Sequence, residues 1–144
     1  MNLTQGDIKS QLIKIAFPAG IGMMFHTFYN ITDTFYAGLI GSEAIGAMEK
    51  CYKLTIEYTQ QREQFGQSLS KFQALQHRMV DMFMETEFSK SFLLKVLATD
   101  DASERRKLVY GLKHQIAKAG KYVGEEAVQL HGGMGVTEEM SIGH

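Results

Sequence analysis

Residues 72–96 read FQALQHRMVDMFMETEFSKSFLLKV. Within them Phe72, Leu75, Met79, Met82, Thr86, Ser89, Leu93 and Val96 recur in alternating steps of three and four. At 3.6 residues per turn, that alternation keeps one narrow stripe of a helix facing the same way. The stretch therefore predicts a long amphipathic helix. It decides the fold, because a stripe of this kind is stable only when other helices cover it.

The pattern extends in both directions. Downstream, Thr99, Asp100 and Asp101 punctuate the helix, and Asp101 with Glu104 resembles a capping box for the next one. Val109, Leu112, Ile116, Ala119, Val123 and Leu130 then repeat the stripe up to Gly132-Gly133, with Met134 and Gly135 beyond. Glu126 falls on the inner stripe, where a basic group in the bundle could partner it. Upstream, MEKCYKLTIEYTQQR (residues 48–62) sets Met48, Tyr52, Ile56 and Thr59 against Glu49, Lys50, Lys53, Glu57 and Gln60, with Gly66 as the expected helix breaker. Long amphipathic helices joined by short connections pack as antiparallel neighbours. The expected fold class is all-α, a partial up-and-down helical bundle preceded by or continuous with a hydrophobic N-terminal helix.

Composition narrows the function classes. With 144 residues and 44% of them hydrophobic, the chain can bury a core of its own. A net charge of -1 gives no bulk attraction to nucleic acid, so no nucleic-acid partner is expected. Cys51 is the single cysteine, which rules out an internal disulfide and makes a reducing, cytoplasmic setting the default. It has no evident activating neighbour and is expected to be inert. The five histidines show no metal-ligand spacing, so no metal site is expected; His77 and Asp81 read as a surface i, i+4 pair.

Residues 15–32, IAFPAGIGMMFHTFYNIT, carry no acidic or strongly basic side chain. As a helix they would span roughly 27 Å, close to the hydrocarbon core of a bilayer. Lys9 and Lys14 precede them, and Ala19, Gly20 and Gly22 are small residues of the kind found where membrane helices meet. A membrane-spanning helix is expected here, with a buried helix of a soluble domain as the alternative.

Three further clusters stand where periodicity does not require them: Tyr58 to Gly66 (YTQQREQFG), Lys71 to Met82 (KFQALQHRMVDM) and Glu126 to Glu138 (EAVQLHGGMGVTE). In this order and spacing they resemble the C-terminal domain of acyl-CoA dehydrogenases, a family that shows R-x-Q-F-G, then F-Q opening a long helix, then Q-x-x-G-G-x-G. The stretch AVQLHGGMGVTEEMSIGH (residues 127–144) is most similar to the branch containing the small subunit of pimeloyl-CoA dehydrogenase. The resemblance covers residues 43–144 and implies three helices of a four-helix bundle, FAD as cofactor, acyl-CoA as substrate and a homo-oligomer. It implies FAD contacts at Arg62, Gln64, Phe65, Phe72, Gln73, Gln129, Leu130, His131, Gly132 and Gly133. The residue types suit a dinucleotide: a guanidinium can neutralise a pyrophosphate, side-chain amides can bond sugar or base edges, and paired glycines let backbone approach a ligand. The plainer alternatives are Arg62 serving a helix C-terminus, Phe65 and Phe72 as core, and Gln129 as a solvated helix residue.

The same resemblance implies that catalysis is incomplete. The family's proton-abstracting carboxylate lies after the third bundle helix, beyond His144, or in a minority on the first helix. The latter position falls near Tyr36, which is no carboxylate. No catalytic residue is assigned, and turnover by this chain alone is not expected.

Residues 1–47 suggest a second resemblance. PAGIGMMFHTFYNITDTFYAGLIGSEAIGA is similar to the first transmembrane helix of multidrug and toxin extrusion transporters, through Pro18-Ala19, Tyr29 to Thr34, Gly38 and Gly41. The word Glu43-Ala44-Ile45-Gly46-Ala47 fits both families, which suggests a chimera joined there. The competing functions are thus a dehydrogenase fragment, a membrane-inserted antiporter fragment, and a non-catalytic helical self-association module.

Overall fold

The three stripes become three long helices. In the computed structural model, which describes residues 8–136, α1 spans Ile8–Gln61, α2 Gln73–Ala98 and α3 Ala102–His131. The side chains of residues 8–12, 15, 30 and 33 lie outside the described residues, as do Thr137, Glu138 and His144. Each helix packs against the other two. The turn between α2 and α3 is closed by Asp101, whose carboxylate accepts the Glu104 backbone N–H at 2.9 Å. This is the capping interaction the sequence suggested.

The core forms where the stripes meet. Met79, Met82, Thr86, Ser89, Leu93 and Val96 of α2 are buried, while Phe72 and Leu75, at the mouth of the helix, are half-buried. α3 contributes Leu112, Ala119, Val123, Ala127 and Leu130, and α1 contributes Ile45, Met48, Tyr52, Thr55 and Thr59. Hydroxyls on these stripes bond back to their own helices, as with Thr55 to the Cys51 carbonyl at 2.9 Å and Thr86 to the Met82 carbonyl at 2.9 Å. They can therefore be buried without an unmade hydrogen bond. Gln115 is buried where the stripe predicted only its neighbour Ile116. Its amide donates to Glu85 Oε2 at 2.9 Å, so a polar side chain enters the core with its partner.

Gly38 and Gly41 let α1 approach the bundle closely. A Cβ at Gly41 would lie 3.4 Å from both Leu93 Cδ1 and Ile116 Cδ1 and 3.7 Å from Leu112 Cδ2. Three side chains from two helices thus close on one glycine.

Three expectations need correction. First, α1 ends at Gln61, before Gly66. The chain then makes a two-residue antiparallel hairpin, β1 (Glu63–Gln64) with β2 (Gln67–Ser68), so the fold is helical with one small β element. Second, no helix among the described residues is long and apolar enough to cross a membrane. The membrane-spanning reading of residues 15–32 finds no support, because Pro18, His26, Thr27, Asn30 and Thr32 dilute the apolar run. Third, the N-terminal half of α1 is not buried within this chain: Phe17, Met24, Phe25 and Phe28 are exposed there. His77 and Asp81 make no ion pair among the described residues. Cys51 is half-buried, and burial pushes its thiol upward, away from the reactive thiolate.

Candidate functional site

The last turn of α1 carries Tyr58, and Arg62 follows the helix end with its backbone N–H donating to the Tyr58 carbonyl at 2.8 Å. Beyond it the hairpin pairs Glu63 with Ser68 and Gln64 with Gln67, leaving Phe65-Gly66 as a two-residue turn. Their φ values are +57° and +81°, as a primed turn between twisted strands requires. Glycine adopts this freely, whereas a left-handed phenylalanine costs about 1–2 kcal/mol. Phe65 is nonetheless 91% exposed, touching Phe72 edge-on with ring centres 6.3 Å apart. Phe72 caps α2, and Gln73 is its first residue.

The end of α3 faces this hairpin. Gly132 caps the helix at φ +61°, and its N–H donates to the Gln129 carbonyl. His131 is buried; its Nδ1 lies 2.8 Å from the Ala127 carbonyl, so that nitrogen carries the proton. The imidazole stacks on Tyr58 with ring centres 4.2 Å apart, and the Tyr58 hydroxyl donates to the His131 carbonyl at 3.3 Å. One turn earlier, Glu126 receives both Nε and Nη2 of Arg78, at 2.5 and 3.0 Å, tying α3 to α2. This hydrogen-bonded pairing holds the Arg78 guanidinium above its usual range.

Between these elements lies an open cleft of ≈ 500 Å³. Of the residues expected from sequence, Arg62, Gln64, Gln129, Leu130, His131, Gly132 and Gly133 line it together. Phe65, Phe72 and Gln73 do not; they lie at the hairpin tip and the start of α2. The sequence reading missed Tyr58, Leu69, Leu75, Arg78 and Met134, which complete the lining. For Tyr58 the signal was its i, i+4 relation to Arg62. For Arg78 it was the unexplained charge of Glu126 on an inner stripe.

The charges divide the roles. Arg78 is committed to Glu126, while Arg62 makes no ion pair with any carboxylate among the described residues. Gly133 has nothing within 4 Å of where a Cβ would stand, so a ligand can reach the backbone there. The cleft thus offers an uncommitted guanidinium, two side-chain amides and an exposed glycine backbone, a set that fits the phosphate and sugar portion of a dinucleotide. A second cleft of ≈ 290 Å³ is flanked by Asp81 and Glu85 and would repel an anion. No cluster of three metal-ligating side chains occurs among the described residues.

Glu126→Gln should lower stability by only about 1 kcal/mol. Removing one partner of a fully buried ion pair costs about 3–5 kcal/mol, but water can solvate this arginine. The Arg78 side chain is 37% exposed. Urea unfolding followed by circular dichroism measures it; a loss as large as the fully buried case would show that the pair is not solvated.

Comparison with known proteins agrees with this geometry. The family model described as acyl-CoA dehydrogenase, C-terminal domain, matches residues 34–144. Acyl-CoA dehydrogenase IpdE2 of Mycolicibacterium smegmatis is 34% identical over 104 residues, covering 72% of this chain and 32% of that protein. Butyryl-CoA dehydrogenase from Megasphaera elsdenii superposes with a TM-score of 0.68 at 27% identity, covering 78% of this chain and 30% of that one. The FAD complex of PigA shares the fold, with a TM-score of 0.71 at 23% identity over 84% of this chain and 31% of that one. The chain spans about a third of the length of these relatives. None of them is a transporter, and the family match takes in residues 34–47, so neither the transporter resemblance nor the chimera reading gains support. With the matched region covering the bundle and every wall of the cleft, the chain belongs to the acyl-CoA dehydrogenase family through its C-terminal domain.

Proposed function

We propose that the hairpin-side cleft is one edge of an FAD site in an acyl-CoA dehydrogenase-type subunit, and that this chain alone does not turn over acyl-CoA. The observation that carries the reading is Arg62, a guanidinium without a carboxylate partner, facing the exposed backbone of Gly132-Gly133 across one cleft. Arg62 would hold the pyrophosphate, with Gln64 and Gln129 bonding its oxygens or the sugars. The backbone from Leu130 to Gly133 would allow close approach, and His131 sets its path through the stack on Tyr58. Phe65, Phe72 and Gln73, on the outer side of the hairpin, would meet a more distant part of the cofactor. Phe65, 91% exposed at the hairpin tip, supports this, because its ring is open to a ligand there.

When bound, FAD supplies the hydride acceptor for α,β-dehydrogenation of an acyl-CoA thioester. Proton removal needs a carboxylate, and Tyr36, at the position counted back from Arg62, is an exposed phenol on α1. No residue is assigned as catalytic base. By the family resemblance the site edge serves a cofactor shared between subunits, so a cytoplasmic homo-oligomer is the proposed working form. The wording of residues 127–144 supports placement near the pimeloyl-CoA dehydrogenase small-subunit branch.

Titrating the purified chain with FAD tests the site. Arg62→Ala should weaken binding about ten- to hundredfold, the scale of one charge-assisted contact. Phe65→Asn should stabilise the turn by up to about 1 kcal/mol while also weakening FAD. Equal affinities in the native chain and Arg62→Ala would overturn the assignment. Dehydrogenation of any acyl-CoA by the chain alone would sink the claim of no turnover.

A further inference from the structure

His131 carries one nitrogen that the bundle does not use. Its Nδ1 donates to the Ala127 carbonyl at 2.8 Å, one turn back on its own helix. In a neutral imidazole protonated at Nδ1, Nε2 is left as a lone-pair acceptor. No donor reaches that Nε2 among the described residues. No histidine nitrogen among them is both enclosed and without a partner, so Nε2 keeps contact with open space. His131 is only 3% exposed and lines the cleft with Arg62 and Gly132-Gly133, so that opening is toward the cleft. The ring is also fixed, by the Ala127 bond on one side and the stack on Tyr58 at 4.2 Å on the other.

We propose that His131 Nε2 is the acceptor through which this cleft recognises a sugar hydroxyl next to a bound diphosphate. The inference rests on the FAD reading and deepens it by giving one side chain a discriminating role. Arg62, Arg78 and the backbone N–H groups of the cleft can only donate, and they suit a phosphate, which offers only acceptors. A phosphate therefore has nothing to give Nε2. Once a ligand displaces water from the cleft, an acceptor left unmade there costs affinity, so the fitting ligand presents a donor. His131 directly precedes Gly132, where the diphosphate would lie, so the donor must sit close to the diphosphate. In a dinucleotide the hydroxyls of the flanking sugars do so, whereas the base and ring N–H groups lie at the far ends. In FAD these sugars are the adenosine ribose and the ribityl chain. Gln64 and Gln129 can accept as well, but both side chains are exposed and stay solvated more readily than the enclosed imidazole.

Isothermal titration of the full chain with ADP, FMN and inorganic pyrophosphate, in mildly alkaline buffer, tests the assignment. His131→Phe keeps an aromatic ring against Tyr58 and removes the acceptor. ADP, FMN or both should bind about three- to tenfold more weakly to the variant, the loss of one neutral hydrogen bond, while pyrophosphate binds both chains equally. Weakening confined to ADP points to the ribose, and weakening confined to FMN points to the ribityl chain; either supports the proposal. Equal weakening of all three ligands overturns it, because His131 then acts only by holding the backbone. Unchanged affinity for ADP and FMN overturns it too. Nitrogen-15 NMR of the native chain needs no variant: Nε2 should resonate as an unprotonated nitrogen and move toward the protonated range with ADP or FMN, but not with pyrophosphate. An Nε2 that carries the proton in the free chain, or that bound nucleotide leaves unmoved, counts against the assignment. Failure of the FAD reading is a separate result. Pyrophosphate that binds native and Arg62→Ala chains alike, or neither, removes the diphosphate site and this assignment with it. Pyrophosphate lost in Arg62→Ala, with ADP and FMN indifferent to His131→Phe, removes the assignment alone.

Discussion

Replacing Leu112 with alanine is expected to remove about 3 kcal/mol of unfolding free energy, within the range for buried leucine truncations. Leu112 is 1% exposed, and with Leu93 and Ile116 it closes on Gly41. Two terms add. Burial of the lost methyl groups is forfeited, and the cavity left behind stays open because Gly41 has no side chain to move into it. A matched control is Leu97→Ala at the end of α2, where the side chain is half exposed and the loss should be well under half as large. The chain has no tryptophan, so the measurement is urea unfolding by circular dichroism, with an unchanged denaturant slope showing that the same surface unfolds. A loss below about 1 kcal/mol would mean that residues around Gly41 do not belong to the cooperative bundle.

That test bears on what the sequence could and could not reveal. The stripe from Met79 to Val96 was legible because helical period and burial coincide, even at Thr86 and Ser89, whose hydroxyls bond their own helix. Gln115 was not legible. A polar residue enters the core only where a partner waits across the bundle, and Glu85 lies thirty positions away. Arg78 with Glu126 was half legible: the carboxylate on an inner stripe demanded a cation but did not say which. Arg62, Gln64 and Gln129 to Gly133 were named from a motif, and folding places them on one cleft. The stack of Tyr58 on His131 joins residues 73 positions apart and has no local signature. The handedness at Phe65 was hidden as well, since strand register rather than the residues themselves forces both turn positions to positive φ. The N-terminal half of α1 was misjudged for a different reason. A charge-free run is compatible with lipid, with a protein interior or with solvent, and residues such as Pro18, His26 and Thr27 leave it too weakly apolar to cross a membrane.

The final prediction separates architecture from ligand contact at two glycines flanking Met134. Gly135→Ala should cost about 2 kcal/mol, the scale of an overpacked site. Its Cβ would stand 2.6 Å from the Val128 carbonyl oxygen and 3.1 Å from Val128 Cα. These are backbone atoms of α3 and cannot rotate away, so the 3₁₀ segment Gly132–Val136 must lift. The same Cβ would lie 3.0 Å from His131 Cβ, so lifting the segment also loosens the stack on Tyr58 that sets one wall of the cleft. Gly135→Ala should therefore reduce both urea stability and FAD affinity. Gly133→Ala should behave differently. Nothing lies within 4 Å of its Cβ, so its stability should change by less than about 0.5 kcal/mol. If the cleft holds FAD as proposed, the new methyl group would occupy space the cofactor needs at the backbone, and FAD binding should fall. If both variants lose stability equally, the segment is held by general packing rather than by the close approach at Gly135. If Gly133→Ala binds FAD as tightly as the native chain, the glycine pair is a helix stop and not a cofactor cradle.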